Sequence, residues 1–233
     1  MTPTIFVIIP ALNEEGSIGN VVADIPRDLV SEILVIDNGS ADKTAENAAR
    51  SGATVLKEDR RGYGYACMKG VDYALKKPVS ERPDIVVFLD GDYSDHPEET
   101  GTLVKPIIED GFDMVIGSRT RGARERGALL PQALFGNALA TRLIKWFYGM
   151  EFTDLGPFRA IKFDKLIGLG MSDMTFGWTV EMQIKAAKKG LRCTEVPVRY
   201  RRRIGVSKVT GTLSGTVKAG YGILLTIFNH LRD

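Results

Sequence analysis

Short, almost wholly apolar segments alternate with amphipathic segments through the first half of the chain. The apolar segments predict strands over residues 5–9, 33–36, 54–56, 85–89 and 114–116. Between them, apolar residues recur at helical spacing and predict helices over residues 14–25, 41–50, 65–76 and 96–109. Repeated strand–helix–strand units with strands this apolar are typical of a mostly parallel sheet covered by helices on both faces. The expected fold class is therefore α/β.

The second half of the chain has a less regular pattern. Residues 131–148 and 212–231 have the apolar spacing of helices, and the second segment is apolar around most of its circumference beyond Ala219. Further elements are predicted as strands over 158–163 and 193–198 and a helix over 179–189. Because no repeat, linker or low-complexity segment interrupts the chain, we expect a single domain over residues 1–233.

Composition and charge narrow the class of protein. A hydrophobic fraction of 44% and a charged fraction of 26% are those of a globular protein that dissolves in water. The net charge of +2 argues against a nucleic-acid partner, although basic residues gather near the C-terminus at Arg199, Arg201, Arg202, Arg203 and Lys208. Cys67 and Cys193 lack metal-ligand spacing, so we expect reduced, structural thiols and a cytoplasmic protein.

Neither a signal peptide nor a membrane span is expected from the sequence. The first apolar run has no basic residues before it, and the apolar segment 219–228 is much shorter than the ~20 residues that cross a bilayer. Peripheral membrane contact stays open, because Lys145, Trp146 and Tyr148 have the mixed character of a lipid boundary. Packing of the two late helices in the core or against a second copy, in a homo-oligomer, is the alternative.

Two carboxylates one residue apart, Asp90 and Asp92, directly follow the predicted strand 85–89. Burying charge is costly, so we expect the pair at the strand's carboxyl end, where open α/β sheets bind their ligands. Two hard oxygen ligands at this edge suit Mg²⁺ or Mn²⁺, ions that proteins often share with the phosphates of a substrate. The alternative is that these acids cap the next helix. Asp95 likewise either joins the metal shell or caps the helix.

Two other strand ends carry polar residues that would meet the acidic pair at the same edge. Glu14 follows the first strand and either reaches a ribose or base or complements the positive end of the next helix. No G-x-G-x-x-G fingerprint follows this strand, so a dinucleotide site is not expected. Asp37 ends the second strand and can accept a hydrogen bond from a nucleobase, whereas Ser40 and Asp42 are expected to cap a helix.

Five segments in matching order over residues 5–119 resemble the nucleotide-sugar half of the family 2 glycosyltransferases: VIIPALNEE, VIDNGSADKT, RRGYGYACMKG, FLDGDYSDHPE and VIGSR. The resemblance implies a GT-A fold, a nucleoside-diphosphate sugar donor and a divalent ion, Mg²⁺ or Mn²⁺, on the Asp-x-Asp motif. It also implies that residues 1–120 bind the donor and residues 121–233 the acceptor. The implied donor and metal contacts are Pro10, Leu12, Glu14, Asp37, Asp90, Gly91 and Asp92, with Asp90 and Asp92 on the metal.

Two later segments, DLGPFRAIKF (154–163) and RRIGVSK (202–208), are similar to the polyprenyl-phosphate hexosyltransferases, the dolichyl-phosphate mannose and glucose synthase group. The resemblance implies that Phe158, Arg159 and 202–208 line a cleft between donor and acceptor. A diphosphate leaving group and a phosphate acceptor together need several cations. The expected catalytic set is Asp92, Arg119, Asp154, Arg159, Arg202 and Lys208. The basic cluster could instead form a solvated loop or a patch on anionic lipid.

This resemblance leads to an expected reaction, the inverting transfer of a hexose from a UDP- or GDP-sugar to a polyprenyl phosphate at the cytoplasmic membrane face. A phosphate acceptor is already anionic, so it needs positioning rather than deprotonation. A hydroxyl acceptor, soluble or on a glycan, would need a carboxylate base, with Asp154 first and Glu181 second; both are equally credible as structural partners of arginines. The segment Tyr93–Pro97 and Pro157 depart from the group's usual residues.

Two rival functions use parts of the same pattern. A nucleotidyltransferase also uses paired carboxylates and Mg²⁺, but it normally has a phosphate-binding loop directly after the first strand, and residues 10–15 offer no such loop. A non-catalytic lipid-binding or adaptor module would explain the late apolar helices. It would leave the convergence of Glu14, Asp37, Asp90 and Asp92 unexplained.

Overall fold

The computed structural model describes residues 3–206 and 213–231, with side chains from residue 218 onward in the second range. Within these residues, strands of one sheet alternate with helices. The strands are β1 (Ile5–Ala11), β2 (Glu32–Asp37), β3 (Thr54–Lys57), β4 (Ile85–Phe88), β5 (Met114–Ser118), β6 (Arg159–Lys162) and β7 (Cys193–Pro197). The helices are α1 (Ile18–Asp24), α2 (Thr44–Arg50), α3 (Tyr63–Lys76), α4 (Thr100–Glu109), α5 (Pro131–Tyr148), α6 (Phe163–Leu169), α7 (Trp178–Lys188) and α8 (Leu213–Asn229).

The strands pair in the order β3-β2-β1-β4-β6-β5-β7. Strands β1 to β4 are parallel neighbours, as are β5 and β7, whereas β6 runs antiparallel to both β4 and β5. This arrangement confirms the mostly parallel sheet predicted from the sequence. The antiparallel direction of β6 was not predicted, because a four-residue apolar strand has the same pattern in either direction.

Helices cover both faces of the sheet. Successive residues of β1 enter opposite cores: Phe6 and Ile8 pack with α3, whereas Val7 and Ile9 pack with α1 and α4. All four side chains are almost fully buried, which explains why the strands lack polar alternation. The apolar cores on the two faces hold the strand ends, and therefore the residues beyond them, in fixed positions.

Three helices begin three or four residues later than the sequence predicted. Helix α1 begins at Ile18 rather than 14, because the backbone of Glu14–Ser17 forms a turn in which the N–H groups of Ser17 and Ile18 donate to the Glu14 carbonyl. Helix α2 begins at Thr44, and α4 follows a short 3₁₀ turn, Pro97–Glu99. Helix α6 was not predicted, because it is only seven residues long and directly continues β6. Among the described residues, none of the helices combines the length and apolar character needed to cross a bilayer.

Candidate active site

Residues beyond the carboxyl ends of β1, β2 and β4 meet at one edge of the sheet. The register pairs Ala11 with Asp37 and Ile8 with Phe88, so the residues that follow each strand are neighbours in space. Two cavities open here, of about 300 and about 240 Å³. Asp90, Asp92 and Arg203 line both cavities. We refer to the larger as the first cavity and to the smaller as the second cavity.

The first cavity brings together most of the residues expected to bind a nucleotide. Among those expected residues, it is lined by Pro10, Leu12, Glu14, Asp90, Gly91 and Asp92. Asp37 lies at the end of β2 but does not line the cavity, and its Oδ1 accepts a hydrogen bond from the Ser40 N–H at 2.9 Å. The next residue, Asn38, lines the cavity instead, together with Arg61 and Phe176. Sequence reasoning did not identify these three.

Asn38 holds one wall of the first cavity in place. Its side-chain amide donates to the carbonyls of Glu58 and Arg60 at 3.0 and 2.7 Å, and its Oδ1 accepts from the Gly62 N–H at 3.0 Å. The side chain is buried and is thereby bonded to three points of the glycine-rich loop before α3. An asparagine in a turn directly after a buried strand was the available signal, but local capping explains that signal equally well.

Asp90 provides the most perturbed carboxylate of the first cavity. Burial, followed by the negative charge of Asp92, raises the pKa of Asp90 from 3.8 to about 7. Its Oδ1 is buried and has no hydrogen-bond partner among the described residues. A buried carboxylate oxygen without a hydrogen-bond partner is energetically costly. This atom is therefore suited to bind a cation or to accept a hydrogen bond from a bound molecule.

Arg203 bridges the two acidic strand ends. Its guanidinium contacts Asp92 Oδ2 at 3.0 Å and Glu14 Oε1 at 2.9 Å. Asp92 is also fixed by Ser94, whose N–H and hydroxyl both donate to its Oδ1. The sequence predicted a basic residue from this segment at the site, with Arg202 as the choice. The Arg202 guanidinium instead donates to the Arg126 carbonyl at 2.8 and 2.6 Å and lines neither cavity.

The acidic pair fits a divalent cation that it would share with a substrate. The unpartnered Oδ1 of Asp90 and the adjacent Asp92 supply hard oxygen ligands of the kind that Mg²⁺ and Mn²⁺ prefer. Among the described residues, no group of three or more His, Cys, Asp or Glu side chains could hold a metal by itself. Phosphate oxygens and water would therefore complete the shell, as is usual for Mg²⁺.

Asp95 lies beneath the acidic pair and is completely buried. Burial raises its pKa well above the usual range, and the charges of Asp90 and Asp92 add to this effect. The Pro97–Glu99 turn has no side-chain cap, so the capping role considered for Asp95 is not observed. Asp95 lines neither cavity, which leaves it behind the pair rather than on its open side.

The second cavity combines cationic and apolar groups. Arg119 and Tyr200 line it together with Leu129, Leu130, Ala133 and Leu134 around the start of α5. Arg119 forms two charged hydrogen bonds with Asp154, at 2.9 Å from Nε and 2.6 Å from a terminal nitrogen. Burial lowers the pKa of Arg119, but the Asp154 charge outweighs it and raises that pKa above the usual value. The guanidinium stays charged beside Asp90 and Asp92.

Of the remaining candidate catalytic residues, those in the described part of the chain line neither cavity. Asp154 is fully buried and engaged by Arg119. Arg159 is fully buried and donates to the carbonyls of Leu155, Gly156 and Thr179, while burial lowers its pKa to about 10. Glu181 accepts hydrogen bonds from Lys185 and Ser172, which outweigh burial and lower its pKa. Lys208 lies outside the described residues.

Comparisons with known proteins agree with this geometry. The family model for "Glycosyl transferase family 2" matches residues 6–169. An uncharacterized glycosyltransferase of Mycobacterium tuberculosis is 36% identical over 217 residues, which cover 91% of this chain and 93% of the relative. A dolichyl-phosphate hexose transferase of Haloferax volcanii is 34% identical over 206 residues, covering 87% of this chain and 85% of the relative.

A solved structure shares the fold. Glucosyl-3-phosphoglycerate synthase of Mycobacterium tuberculosis, in complex with Mn²⁺, UDP-glucose and phosphoglyceric acid, superposes with a TM-score of 0.76 at 24% identity. The match covers 99% of this chain and 80% of that chain. This likeness confirms the GT-A fold that the sequence resemblance implied.

Proposed function

Because the chain belongs to glycosyl transferase family 2, we propose that it transfers a hexose from a UDP- or GDP-sugar to a polyprenyl phosphate, with inversion at the anomeric carbon. One observation carries this proposal: two cavities share the Asp90 and Asp92 carboxylates, and the second combines a charged arginine with apolar residues. A nucleotide sugar in the first cavity and a lipid phosphate in the second would meet at these carboxylates.

The donor half of the proposal rests on the first cavity. Pro10, Leu12 and Asn38 belong to the carboxyl ends of β1 and β2, whereas Asp90 and Asp92 follow β4. We assign the nucleoside to the first set of residues and the diphosphate to the second. The complex of glucosyl-3-phosphoglycerate synthase with Mn²⁺ and UDP-glucose supports a nucleotide sugar and a divalent ion in this fold.

Asp90 and Asp92 would hold the divalent ion, Mg²⁺ or Mn²⁺. When bound, the ion stabilises the negative charge that develops on the departing nucleoside diphosphate. Arg203 and Arg119 contribute the same kind of stabilisation as fixed cations, since both guanidinium groups line the second cavity next to the acidic pair. Arg203 neutralises Asp92 and Glu14, and a bound phosphate would compete with these carboxylates for it.

The acceptor half of the proposal rests on the second cavity and helix α5. Apolar residues of the cavity, Leu130 and Leu134, continue along α5 to Phe135, Leu139 and Trp146, of which Phe135 and Trp146 are 73% and 78% exposed. Helix α8 lies beside α5, so its exposed side chains Tyr221, Leu225 and Phe228, with Leu231 in the turn after it, extend this surface. We call this the α5/α8 face. An exposed apolar surface that leads into a cationic cavity suits an acceptor with a charged head and a long apolar chain.

The ion pair of Asp154 favours a phosphate acceptor over a hydroxyl. Both of its carboxylate oxygens accept hydrogen bonds from Arg119, and the side chain is fully buried and lines neither cavity. Glu181 lines neither cavity. A phosphate acceptor needs no such base, because it is already anionic near neutral pH. The proposed chemistry is therefore a single displacement in which an acceptor phosphate oxygen attacks the anomeric carbon and the nucleoside diphosphate leaves; retention of configuration would contradict it.

The proposal places the enzyme peripherally at the cytoplasmic membrane face. Exposed arginines, Arg121, Arg124 and Arg126, immediately precede α5 and lie at the same end of the molecule as the second cavity. Basic side chains next to an apolar helical face are typical of proteins that rest on anionic lipid.

Transfer to a soluble acceptor is the second candidate. It is favoured by the likeness to glucosyl-3-phosphoglycerate synthase, which has been solved in complex with phosphoglyceric acid. The second cavity, of about 240 Å³, has room for a small phosphorylated acid as well as for a lipid phosphate. The same assay separates the two acceptors.

The test is a transfer assay with the purified protein, Mn²⁺, a panel of radiolabelled UDP- and GDP-sugars, and either short polyprenyl phosphates or phosphoglyceric acid. We expect label in the organic phase with one of the nucleotide sugars. Label that stays in the aqueous phase on phosphoglyceric acid would favour the soluble acceptor. Failure to bind any of these donors would contradict the proposed function and favour a non-catalytic module.

A matched pair of variants tests the acidic site in the same assay. Asp92→Asn removes an anionic ligand of the proposed divalent ion and is expected to lower kcat by at least about a hundredfold, since the ion that would stabilise the leaving diphosphate is held less tightly. Asp164→Asn, at an exposed carboxylate on α6, should leave activity unchanged. Full activity of the Asp92→Asn protein would exclude Asp92 from the site.

A further inference from the structure

Residues 171–177 connect the first cavity to helix α8, and the proposed function does not use them. Phe176 lines the first cavity, and the Met174 carbonyl accepts a hydrogen bond from the Tyr65 N–H of α3 at 3.3 Å. We call residues 171–177 the linking segment. It packs against Gly62 and the beginning of α3. Gly62, Tyr63 and Ala66 all line the first cavity.

The linking segment packs closely against the beginning of α3, at Gly62 and Gly64. A Cβ atom on Gly62 would lie 2.3 Å from the Met174 carbonyl oxygen, and one on Gly64 would lie 2.2 Å from the Asp173 carbonyl oxygen. Distances this short exclude any side chain at either glycine. The linking segment therefore limits the positions that Gly62 can take in the wall of the first cavity.

Asp173 attaches the linking segment to α8. The Thr226 hydroxyl lies 3.0 Å from Asp173 Oδ2 and 2.9 Å from the Gly222 carbonyl, and these two oxygens share its one proton. Asp173 Oδ1 accepts from the N–H and hydroxyl of Thr175 at 2.7 and 2.9 Å. Thr226 is buried, and the contact is tight: a Cβ on Gly177 would lie 1.9 Å from Asp173 Oδ2 and 2.2 Å from Thr226 Oγ1. Asp173 thus has one partner on α8, Thr226, and one in the linking segment, Thr175. A shift of α8 would therefore move the segment.

A second contact between α8 and this region lies one helical turn further along. His230 Nε2 is 3.6 Å from Glu181, and Glu181 also accepts hydrogen bonds from the N–H groups of Ser172 and Asp173. On the other side of the linking segment, Phe176 lies next to Gly222 of α8, where an added Cβ would be 3.8 Å from the Phe176 Cβ. Gly222 and Thr226 of α8 are thus next to the linking segment, and His230, in the turn after α8, is next to Glu181 of α7.

From these contacts we infer that Thr226 and Asp173 are positioning residues for donor binding, which set the place of Phe176 in the wall of the first cavity and of the Met174 carbonyl against α3. The inference rests on the proposed function in one respect, that the ligand of this cavity is a nucleoside diphosphate. Neither residue lines either cavity, and Asp92 is held by Ser94 and Arg203 instead. Loss of the hydrogen bond should therefore weaken donor binding and leave kcat unchanged.

The matched test compares Thr226→Val, which removes the hydroxyl at nearly constant volume, with Thr226→Ser, which keeps it. The Kd of UDP and of GDP is measured by calorimetry with Mn²⁺ and without lipid, and thermal unfolding is followed in parallel. We expect Thr226→Val to weaken nucleotide binding by about fivefold, the effect of one lost hydrogen bond to a carboxylate, and Thr226→Ser to restore it. In the transfer assay the donor KM should rise by the same factor.

Thr175→Val is the second variant, at an exposed position where folding is not at risk. It removes only the 2.9 Å hydrogen bond to Asp173 and should weaken nucleotide binding by about twofold. Lower thermal stability with unchanged nucleotide Kd in both valine variants would overturn the inference and reduce Thr226 to a packing role. No nucleotide binding by the wild-type protein would overturn the proposed function itself, and the inference with it.

Discussion

At the residue scale, the chemistry of the site depends on how burial and charge act on Asp90. The protein places this carboxyl against Asp92 with one buried oxygen unpartnered among the described residues, and the pKa rises to about 7. A group with this pKa is half protonated near neutral pH, whereas a metal ligand has to be ionised. Binding of the proposed ion at Asp90 would therefore be linked to release of a proton.

This linkage predicts a pH dependence with a definite sign. Because the folded-state pKa of Asp90 lies above its ordinary value of 3.8, ionisation of Asp90 costs stability as pH rises from about 4 to 7 in the metal-free protein. Metal affinity should fall by about tenfold per pH unit below 7. The Mn²⁺-induced rise in Tm should accordingly be larger at pH 8 than at pH 6.

Asp90→Asn provides the control for that measurement. It removes the titrating group, so the remaining Mn²⁺ effect on Tm should no longer change between pH 6 and pH 8. A pH dependence that persists in this variant would show that another group, such as Asp95, carries the linked proton.

In two segments, the side chain that lines a cavity is the neighbour of the one expected from the sequence. The RRIGVSK segment does reach the acidic pair, but through Arg203, while its neighbour Arg202 turns away to the Arg126 carbonyl. Likewise Asn38 rather than Asp37 lines the first cavity. Neighbouring side chains in an extended segment point in opposite directions, so a one-residue uncertainty exchanges a cavity residue for a surface residue.

At the element scale, helices α5 and α8 together form an exposed aromatic surface. The Phe147 ring stacks with Trp146 at 5.3 Å and meets Phe228 edge-on at 5.8 Å, so the two helices share one aromatic cluster. The cluster is largely exposed: the side chains of Trp146, Phe147 and Phe228 are 78, 36 and 46% accessible. Periodicity alone could locate these helices but could not decide whether their apolar residues face the core, a partner or lipid.

A charge placed on the α5/α8 face tests its contact with membrane. Trp146→Glu is expected to weaken binding to vesicles of mixed neutral and anionic phospholipid by at least about tenfold, because a ring that would insert into the interface becomes an acid. Val79→Glu, at an equally exposed site on the Val79–Glu81 turn, is the control and should bind normally. The measurement is co-sedimentation with the vesicles.

The same variant distinguishes lipid from a second copy of the chain. If sedimentation velocity shows that the wild-type protein is a dimer and that Trp146→Glu makes it a monomer, with no vesicle binding by either, the α5/α8 face is a subunit interface. That outcome would contradict peripheral membrane contact and would leave the donor cavity unaffected.

At the scale of the whole molecule, strand β6 connects the parallel part of the sheet, β3-β2-β1-β4, to the pair β5 and β7. Arg159 at its start carries a fully buried guanidinium whose hydrogen bonds end on backbone carbonyls of residues 155–156 and of Thr179. These bonds join the centre of the sheet to the loop before it and to α7. The environment is that of a structural cation rather than one available to a phosphate.

Arg159→Met tests that assignment. Removing the charge leaves several buried carbonyls without a donor, and we expect a loss of about 3 kcal/mol in the free energy of unfolding, measured with urea. At a temperature well below the lowered Tm, kcat should stay within about threefold of wild type, since no charge at the cavities is lost. Unchanged stability with a large fall in kcat would instead return Arg159 to the catalytic set.

The sequence by itself determined the elements, the mostly parallel sheet and the family. Each of these depends on local pattern: apolar runs define buried strands, and the motifs that end them, such as the pair at Asp90 and Asp92, occur at fixed positions along the chain. The comparisons confirm the glycosyltransferase family and the GT-A fold.

Tertiary structure alone decided which residues share the cavities. Arg203 reaches Glu14 across 189 positions of sequence, and Phe176 enters the donor wall through a segment attached to α8. Pairings of this kind are set by packing of distant elements and by the direction of single side chains, which the periodicity of one element does not encode. The acidic pair could be identified from the sequence. The contact of Arg203 with this pair and the place of the linking segment beside the first cavity could be identified only from the tertiary structure.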